Sequence, residues 1–537
     1  MSEDTRYHSQ FDYVVVGAGS AGCALAGRLA EDGRYRVALI EAGPRSGGIS
    51  TRIPAAWVSL FKSGLDWNYD TVPQPALENR RIYWPRGRVV GGCSAINAQM
   101  YVRGTAADFD GWATPGNAGW DFESLLPYFL ASERNSRGAQ RFHGDRGPLH
   151  VSDPTELHPL TQAFLRAGVA AGLASNPDFN GASLDGIGTV QLTQRKGARW
   201  SAADAYLRRR PNLVVIPDAV VLRILLDGRR ALGVLVHAGG EKRRVRALKE
   251  VVLCAGTVGS PQVLMLSGVG PAAELQRHGI PVVHDLPGVG SHLQDHVAAG
   301  VLAGIRTKNS MLAAQSPGNL LRYVLTRRGM LASNAAEAAA FVRSRPELSA
   351  PDLELILVPV LYMEEGLAKP RRHGLTIGVG ALQPESRGTI RLASPDPFAK
   401  PLIDPRYLTD PRDIEVLASG ITTALGLIGQ APMRAVVDEV LAPASTDREA
   451  IDSHIRSTAH TLYHPVGTCR MGPDPLSVVG ADLKVHGIGG LRVADASVMP
   501  RIVRGHTHAA AVAIGERAAG LLLGSTRMSP CPAYSAG

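Results

Sequence analysis

The sequence predicts an α/β chain, α+β overall, of two lobes: a doubly wound nucleotide-binding sheet and a second lobe of strands and helices. Three observations point there. A strand, glycine turn, helix and strand open the chain at residues 11–43. A second apolar run at 251–256 returns to the same sheet. Between about 297 and 457 the glycine turns thin out and strands alternate with helices. At 537 residues the chain is long for one hydrophobic core.

The opening unit carries the most chemistry. Residues 13–16 are a β-branched run, GAGSAG (17–22) fits G-x-G-x-x-G, and a small-residue helix leads to a second run at 37–40 ending in Glu41. Gly17 permits the tight turn, and Gly19, with Ser20 and Ala21 beside it, lets backbone N–H groups approach a pyrophosphate. Gly22 lets the helix pack on the strand. The helix N-terminus adds partial positive charge. Glu41, about twenty residues on, is placed to accept hydrogen bonds from ribose hydroxyls. An ADP-containing cofactor is expected. The fingerprint alone leaves NAD and FAD open, although Glu41-Ala42-Gly43 leans toward FAD.

An aromatic-rich excursion at 57–84 follows, with Trp67 in its middle. GRVVGGCSAIN (87–97) is a second glycine-rich turn entering a predicted helix, and its backbone can approach a planar ligand closely. Residues 123–180 read as mixed helix and loop. Strands are expected at 213–216, 220–226, 232–237 and 250–254, with hairpin turns such as Asp227-Gly228. The 251–256 strand should end near the cofactor, because open α/β sheets bind ligands at the carboxyl ends of their strands. A helix at 262–267 and a tight turn at 288–296 come next. The second lobe offers strands at 353–361, 375–382 and 388–392 and a helix at 411–429. The chain returns with a strand at 490–495 and a helix at 509–523, and 525–537 reads as a flexible tail.

Composition excludes several classes. No run of about 18 apolar residues suggests a membrane span, and the polar start MSEDTRYHSQ is not a secretory signal. Cys23, Cys93, Cys254, Cys469 and Cys531 form no C-x-x-C pair and read as reduced thiols of a cytoplasmic protein. The net charge of +9 comes largely from arginine clusters (208–210, 242–244), a solvated face or a weak attraction to an anionic membrane surface. Basic residues are not interleaved with aromatics, so no nucleic acid partner is expected. No G-x-S-x-G elbow marks a serine hydrolase.

Four stretches together carry a resemblance. GAGSAG with Glu41, GRVVGGCSAIN, GTVGSPQVLMLSGVG (256–270) and the pair YHPVGTCRMG (463–472) and DASVMPRIVRGHTH (495–508) occur in order over nearly the whole chain. The sequence resembles the glucose-methanol-choline (GMC) flavin oxidoreductases, within them the choline dehydrogenases and the bacterial membrane-associated alcohol dehydrogenases. The resemblance implies a FAD-binding Rossmann-like domain with a second substrate-binding lobe built on an antiparallel sheet flanked by helices. It divides the chain into FAD-domain parts at 1–155, 196–300 and 458–524, a substrate-lobe excursion at 156–195 and the substrate-binding domain at 301–457.

By the same resemblance, Asp495 and Ala496 would meet the ribityl-pyrophosphate region, Val220 the adenine side, and Val90 and Asn97 the isoalloxazine. Trp67, Arg88, Gly92, Cys93, Ala98, Ala255, His506 and Thr507 complete the implied cofactor set. Ile96 stands where some members carry a histidine bonded to the flavin, so FAD should be noncovalent.

Oxidising an alcohol removes a hydride from carbon and a proton from oxygen, and histidine supplies a base near working pH. His464 matches the family's catalytic histidine. His506 matches the partner position and would orient the substrate oxygen. His506-Thr507-His508 replaces the Asn-Thr-Asn of relatives near the choline branch, which leaves open which histidine titrates. Tyr463 and Asn334 are the implied substrate residues. His460 and His464 are four apart, but Pro465 disfavours helix at His464, so no metal site is expected. The expected activity is oxidation of a primary alcohol to an aldehyde, with hydride to flavin N5 and electrons passed to a quinone or other acceptor. An O₂-using alcohol oxidase, a choline dehydrogenase, and a FAD-scaffold lyase or photodecarboxylase are the alternatives. A quaternary ammonium substrate would want an aromatic cage with a carboxylate, and no cage can be read in the substrate lobe. The expected location is cytoplasmic, with at most peripheral contact at the inner face of the cytoplasmic membrane.

Overall fold

The β-branched run at the start becomes strand Ser9–Val16, which pairs in parallel with Val37–Ile40 on one side and Glu241–Leu253 on the other. The computed structural model describes residues 7–114 and 116–524; the first six residues and the sequence-predicted tail 525–537, with Cys531, lie outside them. Leu213–Ile216 and Leu491–Val493 extend this parallel sheet at its two sides. Val14, Val15, Val37, Leu39, Val251, Val252 and Leu253 are completely buried, as expected of parallel strands covered on both faces. Helices Ser20–Glu31 and Thr507–Leu523 cover the sheet together. Their small residues allow the close approach: a Cβ on Gly515 would lie 2.3 Å from the Ala21 carbonyl oxygen.

Strands Ala219–Asp227 and Arg230–Ala238 form the expected hairpin, built antiparallel onto the first half of Glu241–Leu253. That last strand begins nine residues before its predicted start at 250. Residues 241–249 look like a basic loop because one side faces solvent, while Val245 and Ala247 alternate into the core. Two further expectations are corrected. The helix after this strand is Gly256–Leu266, not 262–267, because its first turn is anchored from afar: the Gly256 N–H donates to Asp495 Oδ2 at 2.9 Å. The helix predicted within 87–97 is only a short 3₁₀ turn, Gly92–Ala95. Gly91 and Gly92 take positive φ (107° and 52°), and Arg199, held also by the Asn97 side-chain oxygen, claims the Ser94 carbonyl that a helix would have engaged.

The second sheet is antiparallel throughout, in the order Val437–Ala442, Val297–Ile305, Gly374–Ala381, Leu353–Val358, Ala338–Val342, Gly186–Thr189. His460–Thr461 pairs with the start of Val297–Ile305, Val297 facing Thr461. Side chains alternate between its faces. Val297, Ala299, Val301, Leu353, Leu355, Leu357, Ile377 and Val379 face helix Pro411–Ile428 and form one core. The even-numbered Ala298, Gly300, Leu302, Ile356, Val358, Thr376 and Gly378 line a cavity on the other face. That cavity's far wall is made by the carboxyl ends of the parallel strands, through Val16, Ile40, Cys254 and Asp495. No helix of the described residues is long and apolar enough to cross a membrane.

Candidate active site

One cavity of about 1160 Å³ runs from the glycine turn to His464 and His506. At its first end, Gly17 has φ of 100° and a Cβ there would lie 2.4 Å from the Cys254 carbonyl oxygen. Gly19, by contrast, has nothing within 4 Å of where a Cβ would stand, and it precedes the helix Ser20–Glu31 without a side-chain cap. The first-turn N–H groups of that helix therefore face open space, the arrangement that receives a phosphate. Gly92 closes the same cradle from the second glycine turn, its Cβ direction meeting Gly19 Cα at 2.7 Å.

Glu41 is buried at the edge of this end. Its carboxylate accepts the Ala18 N–H at 2.9 Å and the Gly43 N–H at 3.0 Å, and burial pushes it up to about 7 against those bonds. Two donors leave further lone pairs free for ribose hydroxyls. Asp495 accepts Gly256 N–H, Ser260 Oγ (2.6 Å) and Ser497 N–H (2.8 Å), tying the return strand to the helix after Cys254. His508, from the last helix, meets Ser20 Oγ through Nδ1 at 2.8 Å, and its Nε2 is buried without a partner. A cleft with open helix N–H groups, a buried carboxylate with lone pairs to spare and an unpaired polar atom fits a dinucleotide cofactor.

At the other end, antiparallel pairing of Val297 with Thr461 sets His296 beside the loop that carries His464. The loop is pinned on every side. The His464 N–H donates to Asp295 Oδ1 at 2.8 Å, while Thr461 Oγ1 (2.5 Å) and the Tyr407 hydroxyl donate to Asp295 Oδ2. Tyr463 adopts a left-handed conformation (φ 67°), held by Arg86 on its carbonyl at 2.7 Å and Thr461 on its N–H at 2.6 Å.

The hydrogen bonds fix the tautomers. His296 Nε2 faces the Leu382 carbonyl oxygen at 3.0 Å and must donate to it. Burial, with His506 nearby, holds His296 neutral, down to about 3. Its Nδ1 is then an acceptor, and the 3.0 Å contact with His464 Nδ1 requires His464 to donate. His464 is left with an unprotonated Nε2. Burial above all, with the His506 and His296 rings and the Arg86 guanidinium nearby, pushes His464 well below the usual histidine range, so it is neutral at pH 7. Its ring centroid lies 5.0 Å from that of His506. His506 is set by its N–H to Val102 O at 2.8 Å and by Nε2, which donates to the Glu354 carboxylate at 3.0 and 3.2 Å. Glu354 is completely buried, on the cavity-facing side of its strand.

Above the histidines the wall is aromatic. Phe61 packs edge-on to Tyr463 (5.7 Å) and to Trp57 (5.6 Å), Trp57 stacks on Tyr362 (6.0 Å), and the Tyr362 and Tyr463 hydroxyls share a 2.6 Å hydrogen bond. This aromatic wall is built mainly by the 57–61 segment and Tyr463, with Tyr362 joining them from residues 301–457. Glu365 adjoins it, raised to about 7 by burial, with Arg80 and Lys62 against it.

Of the residues singled out in the sequence, Gly17, Gly19, Ser20, Ala21, Glu41, Ala42, Trp67, Gly92, Cys93, Asn97, Ala98, Val220, Ala255, Tyr463, His464, Asp495, Ala496, His506 and Thr507 line the cavity. Gly22, Arg88, Val90 and Asn334 stand behind its wall. Gly22 lies under the Gly17 carbonyl, Arg88 lies over the Trp67 ring, and Val90 is in the core. The Asn334 side-chain amide donates to Ala98 O and Ala336 O, and its backbone carbonyl holds Trp57 Nε1 at 3.1 Å. His296, Glu354, Trp57, Phe61 and Tyr362 were missed. Glu354 leaves a trace, a single acid in the apolar strand LELILV; His296 leaves none without the sheet register.

The fold and this site belong to a class. The chain is a member of the GMC oxidoreductases: the family's N-terminal model matches residues 11–298 and its C-terminal model residues 384–515. They are FAD-binding flavoproteins. The chain is 46% identical over 96% of its length to an uncharacterised GMC-type oxidoreductase of Mycobacterium tuberculosis, covering 99% of it. It is 41% identical to the alcohol dehydrogenase [acceptor] of Pseudomonas putida, with 97% of each chain covered. Among solved structures, pyridoxine 4-oxidase from Mesorbium loti superimposes with a TM-score of 0.88 at 33% identity, over 95% of this chain and 98% of that one.

Proposed function

We propose that this flavoprotein oxidises a primary alcohol to an aldehyde and passes the electrons to a quinone or another acceptor. The observation that carries the reading is the pair His464–His506 in the cavity, with His464 Nε2 left as a free base by the His296 and Leu382 hydrogen bonds. FAD, when bound, supplies the hydride acceptor. The glycine cradle, Glu41, Val220 and Asp495 would hold it, and Asn97, Ala98 and Thr507 would border its reactive end. His464 Nε2 accepts the hydroxyl proton. His506, braced by Glu354, orients the substrate oxygen. The aromatic wall excludes water from the carbinol carbon. Ile96 offers no nucleophile, so the cofactor is held without a covalent bond.

An uncharged alcohol suits this wall better than choline. A quaternary ammonium group would find Glu365 with its negative charge weakened by burial and opposed by Arg80 and Lys62. The likeness to pyridoxine 4-oxidase keeps an oxidase as the second reading. The test of the base is His464→Ala, which should keep yellow FAD and lose about 10²–10⁴-fold in turnover; unchanged turnover removes His464 from the mechanism. Acid or heat denaturation should release free FAD, and flavin that stays with the chain contradicts noncovalent binding.

A further inference from the structure

Helix Pro317–Thr326 is built inside out. Its only buried residue is Tyr323, whose hydroxyl donates to the Gly197 carbonyl at 3.2 Å. Leu320, Leu321, Val324 and Leu325 are 50%, 60%, 62% and 73% exposed, and Leu312 in the preceding turn is 39% exposed. Positions i, i+1, i+4 and i+5 fall within an arc of about 140° on a helix, so the four form one continuous apolar stripe pointing away from the protein. Scattered exposed leucines need no explanation, but a contiguous stripe on one short helix does.

The rim of the stripe is basic. Arg322 lies on the helix beside it, paired with Glu156 at 2.9 Å. Arg327 and Arg328 follow its C-terminus and are exposed. Arg327 packs against Gly197, whose hairpin brings the exposed Arg195 and Lys196 to the same end. Lys308 is exposed just before Leu312. Apolar residues on one side of a helix with lysine and arginine around them suit the boundary between headgroups and acyl chains of an anionic bilayer. A second copy of this chain is a poorer occupant, because a two-fold contact on this stripe would set the basic rim against itself.

We propose that helix Pro317–Thr326 is a peripheral docking surface for an anionic lipid bilayer. The helix is joined through Leu331 and Ala332 to the turn whose Asn334 carbonyl fixes Trp57. Docking there would set the aromatic wall of the cavity near the lipid, where apolar alcohols and quinones concentrate.

The full-length protein is sedimented with vesicles of phosphatidylcholine, with and without phosphatidylglycerol, and the bound fraction read from gels. The wild type should bind the phosphatidylglycerol vesicles. The double variant Leu321→Glu/Leu325→Glu should lose about tenfold or more of that binding, with its fold intact by circular dichroism. Arg327→Ser/Arg328→Ser should lose about tenfold on the anionic vesicles, and added salt should weaken the wild type in the same way. Absence of wild-type binding, or a leucine variant that binds as well as wild type, overturns the proposal. So does a wild-type dimer in light scattering that the leucine variant converts to monomer without any vesicle binding; the stripe is then a self-association face. None of these readouts depends on alcohol turnover, so they stand or fall apart from the proposed reaction.

Discussion

In the proposed reaction His464 is the base, and its neighbours decide both where its proton sits and how readily it takes another. Its Nδ1 proton is committed to His296, and burial, with the neighbouring imidazoles and the Arg86 guanidinium, keeps the ring neutral. A base must be unprotonated to act, and its depressed range means it stays so as the pH falls through the ordinary histidine value. The acid limb of kcat/KM should therefore lie well below about 6.5. A limb at or above that value would contradict the geometry. His296 acts through His464, and this separates two variants. His296→Gln can still accept the Nδ1 proton and should retain most activity, whereas His296→Leu should lose about 10–100-fold in kcat and shift the acid limb. Equal losses in the two variants would reduce His296 to a packing residue. His464 and His506 were legible because each sits in a distinctive string. His296 and Glu354 were not, since each reaches the site only through strand pairing with residues more than 150 positions away.

At the scale of elements, the glycine turn and a buried ionic cluster hold the site's two ends. A Cβ on Gly22 would lie 1.9 Å from the Gly17 carbonyl oxygen, which is backbone and cannot yield. Gly22→Ala should cost about 1–3 kcal/mol and weaken FAD retention, measured by thermal unfolding with flavin fluorescence. A variant as stable and as yellow as wild type would contradict this packing. The cluster is Arg103, Glu133, His143 and Asp178, with Arg103 and Glu133 joined at 2.6 Å and His143 reaching Asp178 at 2.8 Å. It fixes the segment in which Val102 O receives the His506 N–H.

Burial opposes a charge on His143, but bonds to Asp178 and Glu133 push it up to about 9. Because that lies above the unfolded value, its contribution is complete below about 6.5 and is lost as pH rises through about 9. Glu133 and Asp178 are held low against burial, by Arg103 and His143 and by His143 respectively. Their contribution is present above about 4.5 and lost at more acid pH. Tm should thus peak near pH 5–7 and fall on both sides, and replacing His143 with Gln should flatten the alkaline fall. An unchanged alkaline limb would show that the cluster does not titrate on unfolding.

For the whole molecule, the cavity exists because two sheets meet across it. The parallel sheet presents its strand ends and the antiparallel sheet one alternate face, so the dinucleotide cradle and the histidine pair share one space. The first half was readable in order from the sequence, since 11–43 carries strand, turn, helix and acid within one short span. The second was readable only as alternating segments. Its strand order skips along the chain, and Gly186–Thr189 joins at the edge from over a hundred residues before Gly374–Ala381. The aromatic wall was illegible for the same reason, being assembled from residues near 57, 362 and 463.

The most direct test is anaerobic mixing of the yellow, FAD-loaded protein with primary aliphatic and aromatic alcohols and with choline, following flavin absorbance. A primary alcohol should bleach the wild type and leave His464→Ala almost unchanged. Slow return of colour in air would mark a dehydrogenase and fast return an oxidase. A flavin that no alcohol bleaches, or one bleached equally fast without His464, would contradict the proposed chemistry.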